Sequence, residues 1–223
     1  MLRNPLSSYS QETDRDHNKT KGGQMMSEHY YSNSPSVGHD RRVLETELRG
    51  HSLRFISDAG VFSRDGVDYG SRVLIEAMEL PPGANILDVG CGYGPIGLVA
   101  ARLNPSGHVT MLDINERAVQ LSKENASNNG IKNVTVMQSD RLEAVQGQQF
   151  DVILTNPPIR AGKQTVHSIF EQAAVHVKEG GTLWVVIQKK QGAPSARAKL
   201  EELFSQVEEV TKDKGYRIFK ASK

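Results

Sequence analysis

Two short segments of this 223-residue sequence hold residue types that can do chemistry together: Asp88-Val89-Gly90-Cys91-Gly92-Tyr93-Gly94 and Asn156-Pro157-Pro158-Ile159. In the second, Pro157 and Pro158 remove two backbone donors and fix two φ angles. The residue before each proline is also driven towards extended geometry, so the loop is stiff and its carbonyls stay free to accept. A planar exocyclic amine or amide nitrogen has a delocalised lone pair and must be turned towards an electrophile before it can attack. The Asn156 side-chain oxygen and the Pro157 carbonyl can accept the two hydrogens of such a nitrogen and turn it. No strong base is needed before attack, and positioning of this kind can supply up to roughly 7–11 kcal/mol of a barrier. The bland reading of the same residues is a rigid turn after a buried strand.

The first segment places Gly90, Gly92 and Gly94 in a strand-to-helix turn, where the lack of a Cβ lets a ligand approach the backbone. Gly92-Tyr93-Gly94-Pro95-Ile96-Gly97 matches the G-x-G-x-x-G string of dinucleotide sites. Asp88 separates the readings. A pyrophosphate needs unopposed N–H groups and is repelled by a carboxylate at the strand end. S-adenosylmethionine carries an α-ammonium and a sulfonium, and an acidic residue there favours it. Asp113, 25 positions after Asp88, ends the next strand and can accept from both ribose hydroxyls, although dinucleotide enzymes use the same device. Asp140 follows the third strand and can accept from an adenine amino group, or can simply cap a helix or turn. Ile114 and Arg141, beside Asp113 and Asp140, are assigned to the same cofactor pocket. Cys91 and Tyr93 read as loop-packing residues, since nothing nearby would activate the thiol.

These residues need a frame that brings strand ends together, and the chain supplies its pattern. A hairpin is expected around Gly50 from Val43, Leu48, Leu53, Phe55 and Ile56. A helical stripe over residues 69–80 is closed by Pro81-Pro82-Gly83. Strands over 85–90, 108–113, 133–138, 150–155 and 181–188 then alternate with helices over 95–103, 115–129, 164–178 and 194–205. Strands over 206–212 and 215–221 close the chain around Asp213-Lys214-Gly215. Asn85-Ile86-Leu87-Asp88-Val89 and Asp151-Val152-Ile153-Leu154-Thr155 are apolar runs rather than alternations, as in strands covered on both faces. The expectation is a doubly wound, Rossmann-like α/β fold with a seven-stranded, mostly parallel sheet and an antiparallel edge hairpin.

Composition narrows the class. Apolar residues make up 37% and charged residues 24%, a globular balance. Residues 1–35 lack hydrophobic periodicity and read as a disordered polar tail. Residues 36–66 read as a hairpin and lid segment, and 67–223 as the catalytic domain. The absence of an apolar leader or membrane-length run, and the single Cys91, lead us to expect a cytoplasmic protein without disulfide or metal cluster. Net charge is +1, yet residues 160–223 carry 12 Lys/Arg against 7 Asp/Glu, while 60–159 carry 7 against 11. The basic excess downstream of Asn-Pro-Pro is either a phosphate-contacting rim or a set of solvated helix faces.

The combination of Asp88, the glycine turn, Asp113, Asp140 and Asn156-Pro157-Pro158 resembles class I methyltransferases that modify planar amino nitrogens. Over residues 40–223 it looks like the small-domain catalytic unit of the ribosomal RNA guanine-N2 methyltransferases. The stretch from Gly60-Val61-Phe62-Ser63 through Asp68-Tyr69-Gly70-Ser71 carries the most specific likeness. The resemblance implies that Phe62, Ser63, Asp68 and Gly70 belong to the cofactor pocket, with Asp88, Gly90, Gly92, Asp113, Asp140 and Asn156. It implies an RNA substrate, whose phosphates Arg160, Lys163, Lys189, Lys190 and Arg197 could meet from expected strand ends and nearby loops on the cofactor side, with Gly162 and Gly192 letting backbone approach and Ile159 offering an aliphatic surface for a base. Two departures stand out. The chain has no room for the duplicated N-terminal domain of many such enzymes, and Ile159 replaces the aromatic that often follows Asn-Pro-Pro and stacks on a base. A protein glutamine amide presents Asn156 with the same problem as a guanine amine, and a non-catalytic cofactor-binding role in ribosome assembly is a third class. Oligomeric state is not legible.

Overall fold

The computed structural model describes residues 37–223, so the expected polar tail over 1–35 lies outside the described residues. The first element is the hairpin of β1 (Arg42–Leu48) and β2 (His51–Ser57), turned by Arg49 and Gly50 at φ 47° and 76°. Two successive positive φ angles match the hand of a two-residue hairpin turn. α1 (Tyr69–Ala77) follows, then β3 (Asn85–Val89), α2 (Pro95–Leu103), β4 (His108–Asp113), α3 (Glu116–Asn128) and β5 (Val134–Gln138). The second half runs β6 (Phe150–Thr155), α4 (Lys163–His176), β7 (Val177–Gln188), α5 (Ala193–Leu203), β8 (Gln206–Asp213) and β9 (Tyr216–Ser222).

The seven-stranded sheet has the order β5-β4-β3-β6-β7-β9-β8. All pairings from β5 to β7 are parallel, and β9 is antiparallel to both β7 and β8. The chain leaves β3 towards β4 and β5, then returns to place β6 on the other side of β3. That reversal opens a crevice at the carboxyl ends of β3, β4 and β6, where Gly90, Asp113 and Asn156 stand. Successive strand residues bury on opposite faces. Ile86, Val152, Leu154, Trp184 and Val186 pack under α1, α2 and α3, whereas Leu87, Val89, Ile153, Leu183, Val185 and Ile187 pack under α4 and α5. Two buried faces are why these strands read as unbroken apolar runs.

Some boundaries differ from the sequence expectation. α1 ends at Ala77 rather than residue 80, because Met78 turns extended and Arg49 Nη1 donates to the Ile75 and Met78 carbonyls at 3.3 and 2.8 Å. β7 begins at Val177, not 181. Val177 already pairs with Phe150 across a register shift, and the Gly180-Gly181 pair lies inside the strand rather than before it. Short 3-10 turns at Glu143–Val145, Ile159–Ala161 and Lys189–Gln191 have no sequence signal that separates them from loops.

The hairpin is tied to the sheet by side-chain amides. Asn125 Oδ1 accepts from the Ile56 N–H at 2.7 Å, and its Nδ2 donates to the Ile56 carbonyl at 2.9 Å and the Tyr93 carbonyl at 2.8 Å. One turn on, Asn129 does the same for Arg54, at 3.0 and 2.8 Å. Two asparagines, one in α3 and one just past its end, thus satisfy the free edge of β2 as a further strand would. Asn125 is fully buried, so Asn125→Ala strands several backbone groups at once. A loss of about 2–4 kcal/mol is expected in urea unfolding. An unchanged midpoint would show that the hairpin is held by its apolar contacts alone.

Candidate active site

The turn after β3 is built from backbone. Gly90 and Cys91 donate their N–H groups to the Leu112 carbonyl at 2.8 and 2.9 Å, which pins the turn to the end of β4. Gly90, Gly92 and Gly94 all take positive φ, at 75°, 58° and 102°, a geometry open to glycine at no steric cost. Asp113 closes the same arrangement. Its two oxygens accept from Gly92 N at 2.8 Å and Asn115 N at 2.9 Å. Burial raises its carboxyl, and those N–H groups act against the shift.

Asp88 lies elsewhere than the sequence suggests. It is fully buried on the α2 side of β3, and it does not line the cavity. Its Oδ2 accepts from the Gly97 N–H at 2.8 Å, and its Oδ1 has no partner. A Cβ at Gly97 would stand 2.8 Å from Met111 Cγ and 2.9 Å from that same Oδ2. The last glycine of the G-x-G-x-x-G string is therefore what lets α2 sit against Asp88. The carboxylate braces the turn from behind rather than meeting a ligand on the cavity wall.

A cavity of about 560 Å³ opens at the carboxyl edge of the sheet. Gly90, Gly92, Asp113, Ile114, Asp140, Arg141, Phe62, Asn156, Pro157 and Pro158 all line it, joining the glycine turn to the Asn-Pro-Pro loop. The two loops touch: a Cβ on Gly90 would lie 4.0 Å from the Asn156 carbonyl oxygen, and Thr155 Oγ1 donates to the Val89 carbonyl at 2.9 Å. A smaller cleft shares Phe62, Gly90, Gly92 and Asn156, and adds Ser63, Asp68, Ser71 and Tyr93. Phe62 is 47% exposed despite its apolar ring.

The polar residues differ in what they still offer. Asp140 is held bidentate by its neighbour Arg141, with Nε–Oδ1 and Nη2–Oδ2 both at 2.9 Å, and that guanidinium lowers the Asp140 carboxyl. Arg141, at φ 51°, also donates to Ser168 Oγ at 2.8 Å. Asn156 spends both amide hydrogens: Nδ2 donates to Asp68 Oδ2 and to Ser71 Oγ, each at 3.0 Å. Its Oδ1 has no partner among the described residues.

Other sequence assignments are redistributed. Gly70 lies outside the cavity: a Cβ there would meet the Tyr216 ring at 2.7 Å, so its small size serves helix-to-strand packing. Ile159, at the start of a 3-10 turn, is half-buried against the core under α4 and does not line the cavity. Arg160 and Lys163 neighbour the lining residues Ala161 and Gln164, and Lys189 and Lys190 follow the carboxyl end of β7; all four are exposed, none lines the cavity, and none makes an ion pair among the described residues. Arg197 is committed to Glu201 at 2.8 Å. The cavity also recruits Ser139, Gln164, Thr165, Ser168 and Ile169, which have no motif around them. Sequence reasoning misses Ser71 and Asn115 although helix-cap spacing is available: Ser71 N donates to the cap Asp68, and Asn115 caps α3 while donating to the Gly60 carbonyl at 2.7 Å. Cys91 is buried, and desolvation pushes its thiol well up, in keeping with a packing role. The described residues contain no group of side chains able to hold a metal ion and no helix long and apolar enough to cross a membrane.

Burial, with Asp113 adding to it, pushes the Asp88 carboxyl up to about 7 against the opposing Gly97 hydrogen bond. Between its ordinary value of 3.8 and about 7 the folded chain holds a proton that the unfolded chain has released. The contribution of this group to stability is therefore present at low pH and is lost as pH rises through that window. Melting temperature should fall between about pH 4 and pH 7, and Asp88→Asn should flatten that fall. An identical slope in the variant would remove Asp88 as its source.

Known proteins place this geometry. The methyltransferase small domain model matches residues 52–220. The uncharacterized protein YbxB of Bacillus subtilis (strain 168) is 57% identical over 200 residues, covering 89% of this chain and 100% of that protein. Ribosomal RNA large subunit methyltransferase G of Pseudomonas putida (strain W619) is 35% identical, over 79% of this chain and 48% of its own length. The chain thus spans about half of that relative. Among solved structures, the T. Thermophilus 16S rRNA N2 G1207 methyltransferase (RsmC), in complex with AdoMet and guanosine, superposes with a TM-score of 0.75 at 27% identity, over 85% of this chain and 52% of that one. Matched over most of its length and carrying the glycine turn and the Asn-Pro-Pro loop on one cavity, this chain belongs to the methyltransferase small domain family.

Proposed function

We propose that this chain methylates the exocyclic N2 amino group of a guanine in ribosomal RNA. The observation that carries this reading is the state of Asn156: both of its amide hydrogens are committed to Asp68 and Ser71, so what it offers the cavity is an acceptor. An amino group bearing two hydrogens complements the Asn156 oxygen and the Pro157 carbonyl.

S-adenosylmethionine is the cofactor, and when bound it supplies an electrophilic methyl group on a sulfonium. The residues present fit it. The positive-φ glycines leave backbone bare on the wall, and Asp113, which lines the cavity, retains acceptor capacity on both oxygens. Asp113, Ile114, Asp140 and Arg141 would hold the nucleoside part. Ser63 would line the narrower end, where the Asp68 oxygen that faces Asn156 is already taken by Asn156 and by the Ser71 N–H. At the acceptor end, Asn156 and Pro157 orient the nitrogen, and Pro158 keeps the loop from yielding. The proton leaves after transfer, so the chain needs no buried base at this position.

The RNA part of the reading rests on the names of relatives that act on ribosomal RNA and on the exposed charges Arg160, Lys163, Lys189 and Lys190, which make no ion pair among the described residues. Mass mapping of ribosomal RNA from cells lacking the protein should show one methylguanosine missing. Restoring the gene should restore it, and restoring Asn156→Ala should not, with in vitro turnover down by about 10²-fold. Radiolabel that follows protein instead of RNA would shift the acceptor to a glutamine amide. Replacing Lys189 and Lys190 with Gln should weaken RNA binding and reduce its salt slope by about 0.7 for each phosphate no longer neutralised, with cofactor affinity intact. An unchanged slope would make the rim ordinary surface.

A further inference from the structure

We propose that Asp68 and Ser71 are positioning residues that lock the side-chain amide of Asn156 in one of its two orientations, and so decide that this site takes only nitrogens that bear hydrogens. The inference rests on the methyltransferase reading of Asn156 and extends it to residues 85 and 88 positions away in the chain.

An asparagine amide has an acceptor on one end and two donors on the other, and a half-turn about its last torsion exchanges them. Turned one way, Asn156 accepts from an amine. Turned the other, it points N–H groups at the amine's own N–H groups. Proline rigidity controls the backbone of the loop but not this torsion. Asp68 does control it. An ionised carboxylate accepts and cannot donate, so the end of Asn156 facing Asp68 must be the nitrogen. Serine alone could have bonded either end. The anchor is itself anchored: Asp68 Oδ2 also accepts from the Ser71 N–H at 3.1 Å as the N-cap of α1, and Ser71 is buried at the same helix end. Tyr216 packs against Gly70 between them, leaving no room for a Cβ. The clamp thus draws on α1, β9 and the loop after β6 together.

The consequence is selection by hydrogen count. A hydroxylate or a bare ring nitrogen finds an acceptor facing it and no donor to orient it, whereas an amine or amide nitrogen finds its complement. Ile159 contributes no stacking to that choice, since it leans on the core.

The test uses the full chain and three variants, beside an Asn156→Ala reference. The Asn156 side-chain amide resonances are assigned in labelled protein by their loss in Asn156→Ala. Asp68→Ala should expose these protons, raising their exchange with solvent by roughly tenfold or more. Turnover on ribosomal RNA should drop by roughly tenfold, with the KM for RNA and the Kd for S-adenosylmethionine each within about threefold of the starting protein. Asp68→Asn, whose amide oxygen can accept both bonds, should recover most of that turnover. Ser71→Ala keeps the backbone N–H that Asp68 caps and so tests one arm of the clamp without disturbing the helix start. It should give a smaller drop in turnover with the same constancy of KM. Unchanged exchange in Asp68→Ala, or a drop in turnover fully matched by a drop in cofactor affinity, overturns the proposal. Should the starting protein methylate no ribosomal RNA, the functional reading falls, while amide exchange still decides the clamp.

Discussion

A carboxylate buried at the centre of the sheet conditions everything at its carboxyl edge. Asp88 occupies a strand position whose neighbours Ile86, Leu87 and Val89 are all core, and one of its oxygens lacks a partner. Burial of such a group is costly, which keeps it partly protonated near neutral pH. The bond it makes reaches the first full turn of α2 through Gly97, and Gly97 can come that close only because it has no side chain. The start of α2 is thereby fixed relative to β3, and the residues between them must close the gap as a tight turn. Their N–H groups go to Leu112 and Asp113 on the next strand. A cost in the core is offset by a ligand-facing loop whose backbone has little freedom left.

What is legible in the sequence follows from how local each signal is. Apolar runs such as 151–155 announce strands covered on both faces, and Asp113 and Asn156 stand at the ends of such strands, so the cavity's main wall can be read before its shape is known. The start of β7 cannot, because Gly180 and Gly181 mark a turn by local preference and are overridden by pairing with β6 across a register shift. Gly70 reads as ligand-facing although it makes room for Tyr216, a residue near the far end of the chain. Asp88 reads as part of the right turn but on the wrong side of the strand. Its side-chain direction follows from strand alternation, and Ile86 and Asp88 share a face, so this much is available in the pattern.

The pairing of Asp68 and Ser71 with Asn156 is not available there. Each residue has an adequate local explanation, a helix cap, a first-turn serine and a loop asparagine, and nothing in their spacing says that they meet. The same is true of Asn125 and Asn129, which look like ordinary polar positions of a helix and instead complete the edge of β2. Polar side chains that bond to distant backbone or to each other leave no periodic trace, so they are the part of a site that sequence patterns miss most.

The two ends of the cavity are consequently held by different means. The glycine-turn end is backbone bonded to adjacent strand ends, and it depends on the sheet itself. The Asn-Pro-Pro end is side chains bonded across long stretches of chain, and it depends on how outlying elements seat. The segment between β2 and α1 makes no ladder, so its carbonyls are taken by side chains: Gly60 by Asn115, Arg64 by Ser57, Gly66 by Ser63 and Val67 by Arg72. Those four bonds deliver Asp68 to Asn156. The hairpin in turn reaches the glycine turn through Asn125 and the Tyr93 carbonyl, and through the edge-on contact of the Phe55 and Tyr93 rings at 5.8 Å. Loosening the hairpin therefore disturbs both ends at once, and a substitution far from the cavity can alter the orientation of Asn156 as readily as one beside it.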